Sequence, residues 1–537
     1  MRTRSLALVA AVAAGLAACQ TVAPPPPTKE TSQWWQHVAA LASDRMEGRL
    51  TGSQGYDDAT RYVADNFRRL GLEPAGADGY FQPVSYEVQT ILPDQSSLAL
   101  RDATGQSRPF ALGDDIVLNA GAEQPSRLDA PLVFIGYGLH LPDAGLDDFA
   151  GIDLQGKIAV FLSGAPAGVP APLQAYARAE ELARMLAATG AVGALTLQSP
   201  SVVEIPWERT KQAYGLPGMY LTETALRRSR TPMLVGLVNP AAAPRLFEGS
   251  GQSFDALTAL SDAHKPLPRF PLTVTLSANI ATDHARIKAD NVVAELPGSD
   301  PKLADEAVVL SAHLDHLGTG KPDHGDGIFH GAMDNASGVA SLLEVARLIQ
   351  AEGGRPKRSI LFLAVGGEEK GLLGSRFFAA HPTRHVGEIA ADINMDMFLP
   401  LYPLHRLVAF GADESTLGDD ARAIAERSHI SIVPDPAPDH LLFVRSDQYS
   451  FIRHGVPALA FDFAPEPNTD QAAIRTRWYA ERYHGQADDL GQPVDLTAVE
   501  SFDRFLTGLI TRVANDAAGP HWRDESFFRR FAETPLK

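Results

Sequence analysis

The stretch Val308-Val309-Leu310-Ser311-Ala312-His313 decides how this chain is read. So short an apolar run reads as a buried strand, and it ends on a residue that can bind a metal or move a proton. Downstream, Gly331-Ala332-Met333-Asp334-Asn335-Ala336-Ser337-Gly338 forms a loop ahead of a helix expected from Val339 to Gln350. Leu342, Val345, Ala346 and Ile349 make the apolar face of that helix. The runs Ile360 to Val365, Ile389 to Met395 and Val456 to Phe461 read as further buried strands. Strands alternating with helices imply an α/β fold, a mostly parallel sheet flanked by helices. In such sheets function gathers beyond the carboxyl ends of the strands.

Good metal ligands fall in those positions: His313, Asp334, Glu369, Asp396 and His484. Glu368 stands beside one of them. Two histidines and three carboxylates can hold two zinc ions with one carboxylate bridging, and Glu368 is then left free as a general base. The same donor types also accept cobalt or manganese.

Outward from this centre, 537 residues are too many for one ordinary core, so two domains are expected. The formal net charge of -18 argues against nucleic-acid binding. Arg2 and Arg4 precede the apolar run Leu6 to Ala18, which is too short to span a bilayer and suits a signal peptide. Leu16-Ala17-Ala18-Cys19 resembles the lipobox of bacterial lipoproteins. Cys19, the only cysteine, is then the lipidated residue, and internal disulfides are ruled out. Export to the periplasm with anchoring in the outer membrane follows as the expected location. Pro24 to Pro27 form a stiff spacer.

The ordered set His313-Leu314-Asp315, Asp334-Asn335-Ala336-Ser337-Gly338, Glu368-Glu369, Met395-Asp396-Met397 and His484 resembles the co-catalytic zinc aminopeptidases of metallopeptidase family twenty-eight. That family includes leucyl aminopeptidases, glutamate carboxypeptidase II and glutaminyl cyclases. A second resemblance, to the protease-associated (PA) domain, rests on Val133 to Gly138, Gly156-Lys157-Ile158 and the succession that follows. The expected organisation is a signal peptide over 1–18, a lipidated cysteine and Pro-rich linker over 19–31 and a first peptidase part over 32–125. An inserted β-rich α+β PA-like domain over 126–265 and the main peptidase domain over 266–537 complete it.

The resemblance implies a role for each residue. His313 and Asp396 would hold one zinc, Glu369 and His484 the other, and Asp334 would bridge them. Asp315 would orient its neighbours, and Asp334-Asn335 would be a cis peptide. The implied activity is aminopeptidase cleavage of peptides by di-zinc-activated water, with Glu368 as the base. Arg445, Ser446, Gln448 and Tyr449 resemble the family's Ser-Asp-His stretch near the substrate pocket, with Gln448 in place of the usual histidine. His330 is a rim candidate, and His316 reads as a pocket-wall residue. Arg445 keeps a carboxypeptidase or dipeptidase open as an alternative. A glutaminyl cyclase or a non-catalytic receptor is the more distant reading. Peptides are the expected partners, with the membrane contacted only through Cys19.

Overall fold

The computed structural model describes residues 27–533, apart from 204, 228–231, 323–324, 354, 384–387 and 438–440. The proposed signal peptide and Cys19 lie outside the described residues. Ser32 caps the helix Gln33–Leu41 by accepting from the Trp35 N–H, and Ser53 caps Gln54–Arg69 through Tyr56. Both helices bury an apolar stripe, Trp34, Trp35, Val38 and Leu41 on the first, Tyr56, Val63 and Phe67 on the second.

The main sheet runs Gly218–Leu221, Phe81–Ile91, Thr282–Leu296, Ser359–Val365, Glu306–His313, Glu388–Asn394, Ala458–Phe463, Arg406–Phe410, Ser431–Val433. Glu306–His313 lies at its centre, parallel to both neighbours, and Glu388–Asn394 is parallel to Ala458–Phe463. The α/β class therefore holds, with the parallel pairing concentrated at the centre. The strands from Phe81 to Val365 on one flank pair antiparallel, as do Arg406–Phe410 and Ala458–Phe463 on the other. The central strands are buried throughout, which is why they read as continuous apolar runs. The helices Ser337–Glu352 and Leu496–Asn515 cover one face. Phe398, Phe461, Phe463, Phe502 and Phe505 pack there, with the Phe398 and Phe502 rings 4.5 Å apart.

An eight-stranded sheet with its own core forms the second layer. Its strands come from a wider span than 126–265. Ser97–Arg101, Ser107–Pro109 and Ile116–Leu118 enter from before it, and Arg269–Asn279 from after it. Leu98, Leu100, Phe110 and Leu276 share one buried core with Phe134, and that burial sets the limits of the sheet. Conversely, Gly218–Leu221 leaves this region to pair with Phe81–Ile91 at the edge of the main sheet.

The helical run 171–188, with a wide turn at Ala177–Glu181, bridges the two sheets. Tyr176 packs on Phe527 at 5.0 Å between centroids, and Arg453 pairs with Glu180 at 3.0 Å. These contacts hold the run beside the carboxyl ends of the central strands.

Candidate metal centre

His313 ends its strand and Glu368 and Glu369 follow the neighbouring one, so the parallel register brings them together. Asp396 follows the strand on the other side of His313. Asp334 arrives from the turn before the helix Ser337–Glu352, across the cis peptide Asp334-Asn335. His484, at φ 51°, comes from a distant loop, its ring 3.9 Å from that of Tyr483.

Asp334 sits between two groups of donors. Its Oδ1 is 3.3 Å from His313 Nε2, and its Oδ2 is 3.3 Å from His484 Nε2. His313 Nε2 also lies 3.1 Å from Asp396 Oδ1, and His484 Nε2 lies 3.5 Å from Glu369 Oε2. Two clusters that could hold a metal ion thus share Asp334. One is His313, Asp334 and Asp396; the other contains Asp334, Glu369 and His316.

His316 is the residue that the sequence reading placed on the wall. Its Nδ1 lies 2.6 Å from Glu369 Oε1, and the side chain is fully buried. The signal was its position three residues after His313, but nothing local says that it turns toward Glu369. Asp315 is buried with Oδ1 accepting from the Glu368 N–H at 3.1 Å. Its backbone oxygen faces His313 Nδ1 at 3.1 Å.

The electrostatics fit cations. Burial, with Asp396, Asp447 and Glu369 nearby, pushes the Glu368 carboxyl well above the usual range. Burial likewise raises Asp315 to about 6 and Asp447 to about 7. Burial opposes protonation of His313, yet Asp396, Glu368 and Asp334 outweigh it and hold the imidazole well above its ordinary value. Carboxylates outnumber imidazoles here, and buried charge of one sign needs a counter-charge. Nitrogen and carboxylate donors in shared clusters are the set that zinc takes.

Two buried groups fix the loops and were not legible in the sequence. Asp488 accepts from the Asp334 N–H at 3.0 Å and from the Met333 N–H at 3.0 Å. Arg49 donates to the carbonyls of Leu314, Leu41, His330 and Gly331 at 2.7–2.9 Å. A third group, Arg209 of the helix Trp207–Tyr214, donates to Tyr479, Ala480 and Tyr483 carbonyls, and so docks that helix beside His484.

Asp334, Glu368, Glu369, Asp396 and His484 line a cleft of about 620 Å³. Arg445 and Ser446 line it too. His330 is not among the lining residues, because its Nε2 is engaged by Asp44 at 3.2 Å on an outer loop. Tyr449 is buried behind the wall.

Gln448 borders the cleft but is fully buried, and its amide is a brace. It accepts from Asn394 at 2.8 Å and donates to the Leu442 and Phe443 carbonyls at 3.2 and 3.0 Å. Gln448→Ala is expected to lower the unfolding free energy by about 2 kcal/mol, since buried partners are left unsatisfied. An unchanged urea midpoint would remove the brace.

Residues 291–509 match the model of Peptidase family M28. A probable zinc metalloprotease of Pyricularia oryzae is 44% identical over 93 residues, 17% of this chain and 18% of that protein. Carboxypeptidase Q of Xenopus laevis is 32% identical over 124 residues, 22% of this chain and 24% of that protein. The matched stretches thus span under a quarter of these relatives' lengths. In fold, the chain resembles an aminopeptidase from Aneurinibacillus sp. strain AM-1, with TM-score 0.52 and 20% identity, over 90% of this chain and 93% of that one. The five candidate ligands and Glu368 all fall within the segment that matches Peptidase family M28.

Proposed function

We propose that this protein is a zinc-dependent exopeptidase that removes N-terminal residues from peptides. The observation that carries the proposal is Asp334, whose two oxygens face His313 and His484 separately within one cleft. That arrangement supports a two-ion site with Asp334 as the bridge. His313 with Asp396, and Glu369 with His484, would be the remaining ligands, and His316 would support Glu369. When bound, the two zinc ions supply Lewis acidity toward a carbonyl and lower the pKa of a water. Glu368, in the same cleft, takes the proton of the attacking water and passes it to the leaving amine. Asp315 holds the Glu368 backbone in place through its N–H.

Two zinc ions would neutralise Asp334, Glu369 and Asp396, and Glu368, outside those clusters, is the acid left in the cleft to favour an α-ammonium end of the substrate over a carboxylate end. This supports the aminopeptidase reading over the carboxypeptidase one. Met397, Phe410, Leu441, Leu442 and Val444 form an apolar part of the cleft wall, suited to an apolar first side chain. The second reading is a carboxypeptidase or dipeptidase, which Arg445 in the cleft wall favours.

The test is hydrolysis of a short-peptide panel by full-length protein, before chelation, after it, and after zinc is restored. N-terminal residue release is expected to disappear on chelation and return with zinc. Release from the C-terminus, or cyclisation of N-terminal glutamine without residue release, would overturn the proposal.

A further inference from the structure

A second cavity, of about 510 Å³, meets the cleft at Glu369 and His484 and continues between the two sheets. Its charge is opposite to that of the metal centre. Against Glu123 and the proposed ligand Glu369 it sets Arg178, Arg227, Lys370 and Arg376. Arg227 and Arg376 are engaged by backbone carbonyls, those of Leu221 and Gly371 among them. Arg178 and Lys370 differ. Among the described residues Arg178 hydrogen-bonds through Nη2 alone, donating to the Leu162 and Gly164 carbonyls at 3.0 and 3.1 Å, and its guanidinium lies over the Phe161 ring at 5.2 Å. Neither side chain has an ion-pair partner among the described residues. The acids near Arg178 are occupied: Glu180 by Arg453, Glu181 by Arg184 and Asp148 by the Tyr137 and Leu139 N–H groups. Asp148 lies near Arg178, and Glu369 and Asp315 near Lys370, but none pairs directly with either cation among the described residues, and enclosed cations without a direct partner favour an anionic ligand. Arg178 borders both cavities, so it stands where a chain leaving the metal centre passes.

We propose that this cavity receives the leaving portion of the substrate, and that Arg178 and Lys370 bind the free C-terminal carboxylate of a short peptide. The preferred substrates are then di- and tripeptides. Such a peptide places its ammonium end among the carboxylates and its carboxylate end among the cations. The two cavities adjoin at Glu369, His484 and Arg178, and at about 3.3–3.6 Å per extended residue a short peptide suffices to bridge them. This inference rests on the exopeptidase reading for the direction of the chain.

The experiment measures affinity, so that it does not depend on turnover. Zinc-loaded full-length protein is titrated with a Leu-Leu analogue whose peptide bond is reduced to CH2–NH, as the free acid and as the C-terminal amide. The free acid is expected to bind about tenfold or more tightly. Arg178→Gln, which keeps a donor for the two carbonyls, and Lys370→Gln should each narrow that ratio several-fold. The double variant should bring it to about one. Equal affinities in the parent, no binding of either analogue, or discrimination that survives in the double variant would each overturn the proposal. Hydrolysis of leucine anilide by the same parent preparation tests the exopeptidase reading separately.

Discussion

Glu368→Gln is expected to lower kcat by roughly 10²–10⁴-fold, the usual contribution of a positioned proton-transfer group, with bound zinc unchanged. The amide keeps the size and most of the polarity of the carboxylate but cannot accept a proton at neutral pH. The side chain faces the same cleft as Asp334 and Asp396. It is not one of the residues in the two candidate metal clusters. Metal retention and proton transfer are therefore separable at this position. Single-turnover rates of a dipeptide, measured with zinc content in the same samples, decide the matter. A kcat within a few-fold of the parent would assign the base elsewhere. A matching loss of zinc would make Glu368 a ligand.

Arg49→Met should destabilise the fold by about 3 kcal/mol or more and impair zinc retention. The guanidinium is fully buried and donates to four carbonyls on three separate segments. Each buried carbonyl left without a donor costs about 1–3 kcal/mol. Two of these carbonyls belong to Leu314, next to His313, and Gly331, three residues before Asp334. The substitution therefore loosens two ligand loops together. Arg49→Lys should recover little, because a single ammonium cannot span the fork that the guanidinium fills. Urea denaturation of the zinc-loaded proteins measures the effect. A loss under about 1 kcal/mol for the Met variant would show that water replaces the guanidinium at no great cost.

The two sheets differ in how far they could be read in advance. The central strands and the helix after Asp334 were legible because both faces of each strand are buried and the helix carries an apolar stripe. Those are local patterns with a fixed period. The second sheet takes strands from before and after the span 126–265. Its outer strands, Ser97–Arg101 and Arg269–Asn279, pair with each other across more than a hundred and fifty residues. No local period records that pairing. The excursion of Gly218–Leu221 to the main sheet was hidden for the same reason.

By itself, the sequence determined the identity of the ligand candidates and of Glu368. Each lies next to a short strand or in a distinctive turn, and the donor set has few uses other than holding metal. The tertiary structure alone decided how those donors are shared and braced. It turned His316 onto Glu369, across fifty-three residues. It set Arg49 and Asp488 beneath the loops, and docked Arg209 of the second region against the loop of His484. It also made Gln448, read as a pocket residue, into the brace between Asn394 and the Leu442–Phe443 carbonyls. The physical reason is the same in each case. A ligand's type is a property of one side chain, whereas a buried polar group is satisfied by whichever chain segment the fold brings within about 3 Å.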